Sequence, residues 1–147
     1  FTVSCVCLFA TITGADNLPD GFFGRFSIDH SDNFEAYLIA KGYNWALRRL
    51  FTILGVEIVF TKNSPNSFNY DILTAIRNEH FKNVTFGVPF TTESVDYRKS
   101  IQLLQVTFTL RGSRLYGKQD PVYPEDQDLV ENFVYKVDGD FLVLVCI

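Results

Sequence analysis

After Gly55 the chain is a succession of strand-length apolar runs, each closed by a turn signal, and few folds accommodate that pattern. Val56-Glu57-Ile58-Val59-Phe60 leads into a turn through Asn63-Ser64-Pro65-Asn66. Runs over 68–76 and 81–86 follow, then a polar stretch over 91–99. Residues 101–110 read as a long strand, Gly112 as a turn, and 121–128 as an acidic loop. The clearest hairpin is centred on Asp138-Gly139, a two-residue type I′ signal between two apolar runs. Its register pairs Lys136 with Phe141, Val134 with Val143 and Asn132 with Val145, so these six share one face. Phe133, Tyr135, Leu142 and Leu144 share the other. Both faces are apolar, and periodicity alone leaves open which of them points inward.

Ahead of Gly55 the pattern changes. Residues 22–28 form a short strand candidate, and Asp29-His30-Ser31-Asp32-Asn33 is a polar cluster suited to helix capping. Asp32 and Glu35 have capping-box spacing, after which Phe34, Tyr37 and Leu38 fall on one helical face. Gly42 breaks this helix. Asn44 then caps a second one, in which Leu47, Leu50, Phe51 and Leu54 recur at helical spacing until Gly55 ends it. One strand, two adjacent helices and a run of antiparallel strands predict an all-β, up-and-down barrel with a helix-turn-helix lid. A sandwich takes the strands but leaves the helix pair unexplained. A barrel of eight to ten strands has an interior wide enough for one small ligand.

The 147 residues suit a single domain with one sizeable core, and 15 Phe and 7 Tyr supply it. A net charge of −4 with no basic stripe offers little to neutralise phosphates and argues weakly against nucleic acid as a partner. Residues 1–15 carry no charge and end in Thr13-Gly14-Ala15, the small residues of a signal-peptide cleavage site, so they read as a signal-peptide remnant. The mature domain then spans 16–147 and is secreted. Cys5 and Cys7 fall within the leader, which leaves Cys146 without an intramolecular partner, as a packed strand residue. Asn83-Val84-Thr85 is a glycosylation sequon. His30 and His80 are far apart, no Gly-x-Ser-x-Gly occurs and no metal-ligand spacing exists, so catalysis, metal and cofactor are not expected.

Specific residues carry a family resemblance. Gly24-Arg25-Phe26-Ser27-Ile28, then Asn33-Phe34-Glu35-Ala36-Tyr37-Leu38, then Gly42, resemble the opening of fatty-acid-binding proteins. Phe86-Gly87-Val88-Pro89-Phe90 followed by Asp96-Tyr97-Arg98-Lys99 is similar to a second motif of that family, and Asp138-Gly139 stands at the matching distance beyond. The resemblance covers about residues 18–147; Leu18-Pro19-Asp20 and Gly42-Tyr43-Asn44-Trp45 look most like its secreted nematode branch.

The resemblance implies a ten-stranded barrel under a helical lid, holding long-chain fatty acids or similar lipids without catalysis, as a monomer. Residue by residue it implies that Phe34, Tyr37 and Leu38 line the cavity near the lid. Val95, Asp96 and Arg98 then stand at the portal, and Val143 and Val145 are apolar cavity residues, with the Val134/Val143 face inward. The Asp96–Arg98 pair reads equally well as a turn-stabilising surface ion pair. Two departures stand out. The family's carboxylate-binding arginine falls on Val134, and the last strand, with its Arg-x-Tyr, is expected to be absent because the sequence stops at Ile147. A second function from a different class is membrane docking or a structural role in an extracellular or egg fluid. There the lid meets a bilayer through Trp45, Leu47 and Phe51 beside Arg48 and Arg49.

Overall fold

A computed structural model describes residues 17–96, 100–123 and 130–147, with residues 94–96 and 100–102 described by their backbone alone. The leader reading of residues 1–15 falls outside these. A short 3-10 turn, Asp20–Phe22, leads into β1 (Gly24–Ser27), and the helices α1 (Phe34–Ala40) and α2 (Trp45–Leu54) follow. The strands then run β2 (Val56–Ser64), β3 (Ser67–Thr74), β4 (Asn78–Val84), β5 (Phe90–Asp96) and β6 (Ser100–Arg111). After them come β7 (Arg114–Pro121), β8 (Glu131–Asp138) and β9 (Phe141–Cys146). Each strand pairs antiparallel with its sequence neighbour, in a four-stranded sheet β1-β2-β3-β4 and a five-stranded sheet β5-β6-β7-β8-β9. This is the predicted up-and-down meander with its helix pair after strand one, although the backbone pairing does not run continuously around the wall.

Local chemistry explains the boundaries. Asn44 caps α2 as expected, its Oδ1 accepting from the Leu47 amide at 3.0 Å. Gly55 ends that helix at φ 73°, where a Cβ would be strained. The capping box at Asp32 and Glu35 does not form. Asn33 takes the cap position in the left-handed region (φ 59°), which leaves Asp32 one residue outside the helix. Glu35 faces Arg48 of α2 instead, at 3.6 Å.

Two strands arise where the sequence looked polar or silent. The polar stretch over 91–99 supplies β5, which pairs with β6 from Phe90↔Val106 to Asp96↔Ser100. The segment between Gly112 and the acidic loop supplies β7, despite Gly117, Lys118 and Asp120. Gly117 fits because the Phe133 ring of β8 covers it, and any Cβ there would run into that ring.

The core is aromatic. Phe22, Phe60, Phe68 and Phe108 are fully buried with Leu104 and Leu115, and Tyr70 and Tyr135 sit among them. Phe60 meets Tyr70 with ring centroids 5.1 Å apart, and Tyr70 meets Phe108 edge-on at 5.2 Å. The Tyr70–Phe108 contact, with Phe60 against Tyr135 and Phe68 against Phe108, ties the two sheets together where strand pairing does not. Of the predicted α2 stripe, only Phe51 is buried; Leu50 and Leu54 are exposed, as are Trp45 and Ile53. The helix therefore presents an apolar outer face rather than docking into the core.

Candidate ligand-binding cavity

The inner side of the helix pair and the inward residues of the strands enclose a cavity of about 340 Å³. From α1 and its C-cap it receives Phe34, Tyr37, Leu38 and Lys41, all placed by the 3–4 spacing of one helical face. Tyr43 and Phe51 follow from the turn and α2, their rings crossing edge-on at 5.1 Å. The walls obey the strand period of two: Tyr70, Ile72 and Thr74 from β3, and Leu104 and Val106 from β6. Phe133 and Tyr135 from β8 are matched across the hairpin by Cys146 and Leu144.

Charge is confined and paired. Lys41 forms an ion pair with Glu131 at the start of β8, and the Tyr37 hydroxyl donates to the same carboxylate at 3.1 Å. Together they fasten α1 to the five-stranded sheet. Arg77 binds Glu79 at 2.7 Å and Glu93 at 3.5 Å, and Thr92 donates to Glu79 at 2.9 Å. These last contacts bridge β4 and β5, where a second recess of about 370 Å³ shares Arg77, Glu79, Phe81, Thr92 and Glu93 with the main cavity.

Burial governs the titratable groups inside. It pushes the phenols of Tyr37, Tyr70 and Tyr135 well above their ordinary value of 10, with Glu131 adding to the effect on Tyr37. The Cys146 thiol rises to about 11, first through burial and then through the neighbouring Glu131 carboxylate. The Tyr70 and Tyr135 hydroxyls touch at 2.8 Å in the most buried part of the cavity. His30 and His80 both stand at the surface, beside Asp29 and Asp71, and no cluster of metal-ligating side chains occurs among the described residues.

Of the residues singled out from the sequence, Phe34, Tyr37 and Leu38 come together on the cavity wall. Val95 and Asp96 lie at the end of β5 opposite Ile101 and Ser100, placed by their backbone only, and Arg98 lies outside the described residues. Val134, Val143 and Val145 do not face the cavity. The hairpin turn is Gly139-Asp140, so Lys136 pairs with Val143 and Val134 with Val145, two residues from the expected register. Left-handed Gly139 (φ 60°) makes this turn. A shift of two preserves the faces and leaves the choice between them open. Contacts across the barrel decide it: Tyr135 is 2% exposed against Tyr70 and Phe60, whereas Val145 is 49% exposed. The inward face is therefore that of Phe133 and Tyr135. Sequence reasoning also missed Tyr70, Lys41 and Glu131. The alternation Phe68, Tyr70, Ile72 in β3 carries a signal for the first, but the ion pair joins residues 90 apart and has no local signature.

A meander of nine described strands with a helix pair roofing a cavity defines a lidded, up-and-down β architecture of the small-ligand-binding kind. Comparison with known proteins narrows it. The chain is 41% identical over 135 residues to fatty acid-binding protein homolog 2 of Caenorhabditis elegans, covering 91% of this chain and 81% of that protein. It is 38% identical over 143 residues to homolog 1 of the same nematode, covering 95% and 87%. Among solved structures, As-p18, an extracellular fatty acid binding protein, superposes with a TM-score of 0.71 at 31% identity, covering 86% of this chain and 87% of that one. No family model matches. The chain belongs to the fatty-acid-binding protein family, and its likeness is to the nematode branch.

Proposed function

We propose that this protein binds and carries long-chain fatty acids or similar small hydrophobic ligands inside the barrel, without catalysing their conversion. The observation that carries this is the cavity beneath the helix pair, whose 340 Å³ falls within the roughly 300–1,000 Å³ usual for small-molecule sites. Moving about fifteen methylenes out of water contributes on the order of 12 kcal/mol. Immobilising the chain and closing the lid offset part of that, which leaves affinities of about micromolar to nanomolar. Relatives named for fatty acid binding, at up to 41% identity, support the same ligand class.

The extracellular character of As-p18, together with the uncharged run over 1–15, supports a secreted protein whose domain spans 16–147. Phe34, Tyr37 and Leu38 are its ligand contacts near the lid, with Val95, Asp96 and Arg98 at the portal and the protein acting as a monomer. Displacement of a fluorescent fatty acid from delipidated protein tests the reading. Saturable displacement by oleic acid is expected, and its absence refutes lipid carriage.

A second reading has its own observation. Trp45, Ile53 and Leu54 on α2 are 68%, 69% and 64% exposed beside Arg49, an apolar face with cationic flanks suited to brief contact with a bilayer. Lid contact with anionic vesicles, measured by Trp45 fluorescence, supports a docking role; an unshifted spectrum removes it.

A further inference from the structure

Two phenol hydroxyls meet inside a cavity that is otherwise mostly aromatic and aliphatic, and their hydrogen inventory does not balance. Tyr70 and Tyr135 are 4% and 2% exposed, and their oxygens lie 2.8 Å apart. Each hydroxyl has one hydrogen to give. Whichever of them donates within the pair, the other's hydrogen meets no acceptor among the described residues, and a buried donor without an acceptor is unfavourable. Both tyrosines line the cavity. Burial keeps both phenols protonated, so the spare hydrogen persists at every ordinary pH. The two cations at the cavity wall are engaged elsewhere, Lys41 with Glu131 and Arg77 with Glu79 and Glu93.

We propose that the Tyr70–Tyr135 pair is a polar anchor of the cavity, donating one hydrogen bond to a carbonyl-type oxygen of an acyl ligand's head group. This rests on the lipid-carrier reading above. The spare donor fixes which end of the ligand reaches the buried part of the barrel, and it selects acyl chains bearing an acceptor over bare hydrocarbon. It accepts an ester as readily as an acid, because the donor is a neutral hydroxyl and requires no ligand charge.

The test uses oleic acid, methyl oleate and 1-octadecene as competitors for a bound fluorescent fatty acid, with the wild type and the double variant Tyr70→Phe/Tyr135→Phe. The double variant keeps both rings and leaves no hydroxyl donor at this point of the cavity, whereas either single change would leave one hydroxyl with its hydrogen still to give. Oleic acid and methyl oleate are expected to bind about five- to tenfold more weakly to the double variant, while octadecene is unchanged. Equal loss for all three shows that the pair only shapes the core and overturns the proposal, as does no loss for any. If no competitor displaces the reporter from the wild type, lipid carriage itself fails and the anchor with it. A measurement free of folding effects is the infrared carbonyl stretch of methyl oleate bound to wild type. A band at the hydrogen-bonded frequency supports the anchor, and one at the alkane-solution frequency overturns it.

Discussion

Replacing Glu131 with Gln isolates what fastens the lid. Glu131 ion-pairs with Lys41 and accepts from the Tyr37 hydroxyl at 3.1 Å, so Tyr37 of α1 and its C-cap residue Lys41 depend on one carboxylate of β8. The side chains are 33% exposed at Lys41 and 15% at Glu131, which places the pair between two regimes. Exposed pairs contribute up to about 1 kcal/mol, and breaking a fully buried pair costs roughly 3–5 kcal/mol. Gln keeps the shape and an acceptor for Tyr37, so the loss is chiefly one charge-assisted contact, about 2 kcal/mol. For a chain of this length that lowers Tm by roughly 4–8 °C. Urea unfolding of the wild type, Glu131→Gln, Lys41→Met and the double variant gives the coupling energy directly. Hydrogen exchange in α1 is expected to accelerate while exchange at Tyr70 and Phe108 in the core follows global stability. If the two substitutions add within about 0.5 kcal/mol, the ion pair does not hold the lid and the reasoning fails.

Three other outcomes follow from the interior. Gly117→Ala drives a methyl into the Phe133 ring, so a destabilisation of about 1–3 kcal/mol is expected by chemical denaturation, and a neutral result means the ring has room to turn. Cys146, at about 11 rather than the usual 9, holds about a hundredfold less thiolate at pH 8, so iodoacetamide should modify it about a hundredfold more slowly than a free peptide thiol. Glu131→Gln removes one of the two main causes of that shift and should recover part of the rate. Tyr70 and Tyr135 titrate above 10 when folded, so the folded state keeps protons that the unfolded chain releases. Their contribution is full below about pH 10 and is lost as pH rises beyond it. Urea midpoints that do not fall between pH 9 and 11 contradict the burial of these phenols.

The architecture was legible because its punctuation is chemical. Asn44, Gly55 and Gly139 act within a residue or two of themselves, and each does in the structure what its type dictates. The strands that escaped notice, β5 and β7, are polar because one side of each faces solvent, and their existence is fixed by β6 between them. The capping box failed on a local competition. Asn33 tolerates the left-handed region, and once it adopts that conformation the helix starts one residue later than the Asp32 spacing requires.

The cavity was harder to read, and the last hairpin shows why. Val134, Val143 and Val145 compete with Phe133, Tyr135 and Leu144 for the interior, and strand period, β-propensity and turn type score the two sets almost alike. What separates them is the rest of the barrel. Aromatic residues on β2, β3 and β6 converge from the other walls, with Phe60 5.6 Å from Tyr135 and Phe108 5.9 Å from Phe133. Only the face carrying Phe133 and Tyr135 meets those rings at van der Waals distance while placing a hydroxyl beside that of Tyr70. A tyrosine buried on β3 leaves a polar oxygen that needs a partner, and the Tyr135 hydroxyl supplies it. The inward face is thus selected by these ring contacts together with one hydrogen bond between residues 65 apart.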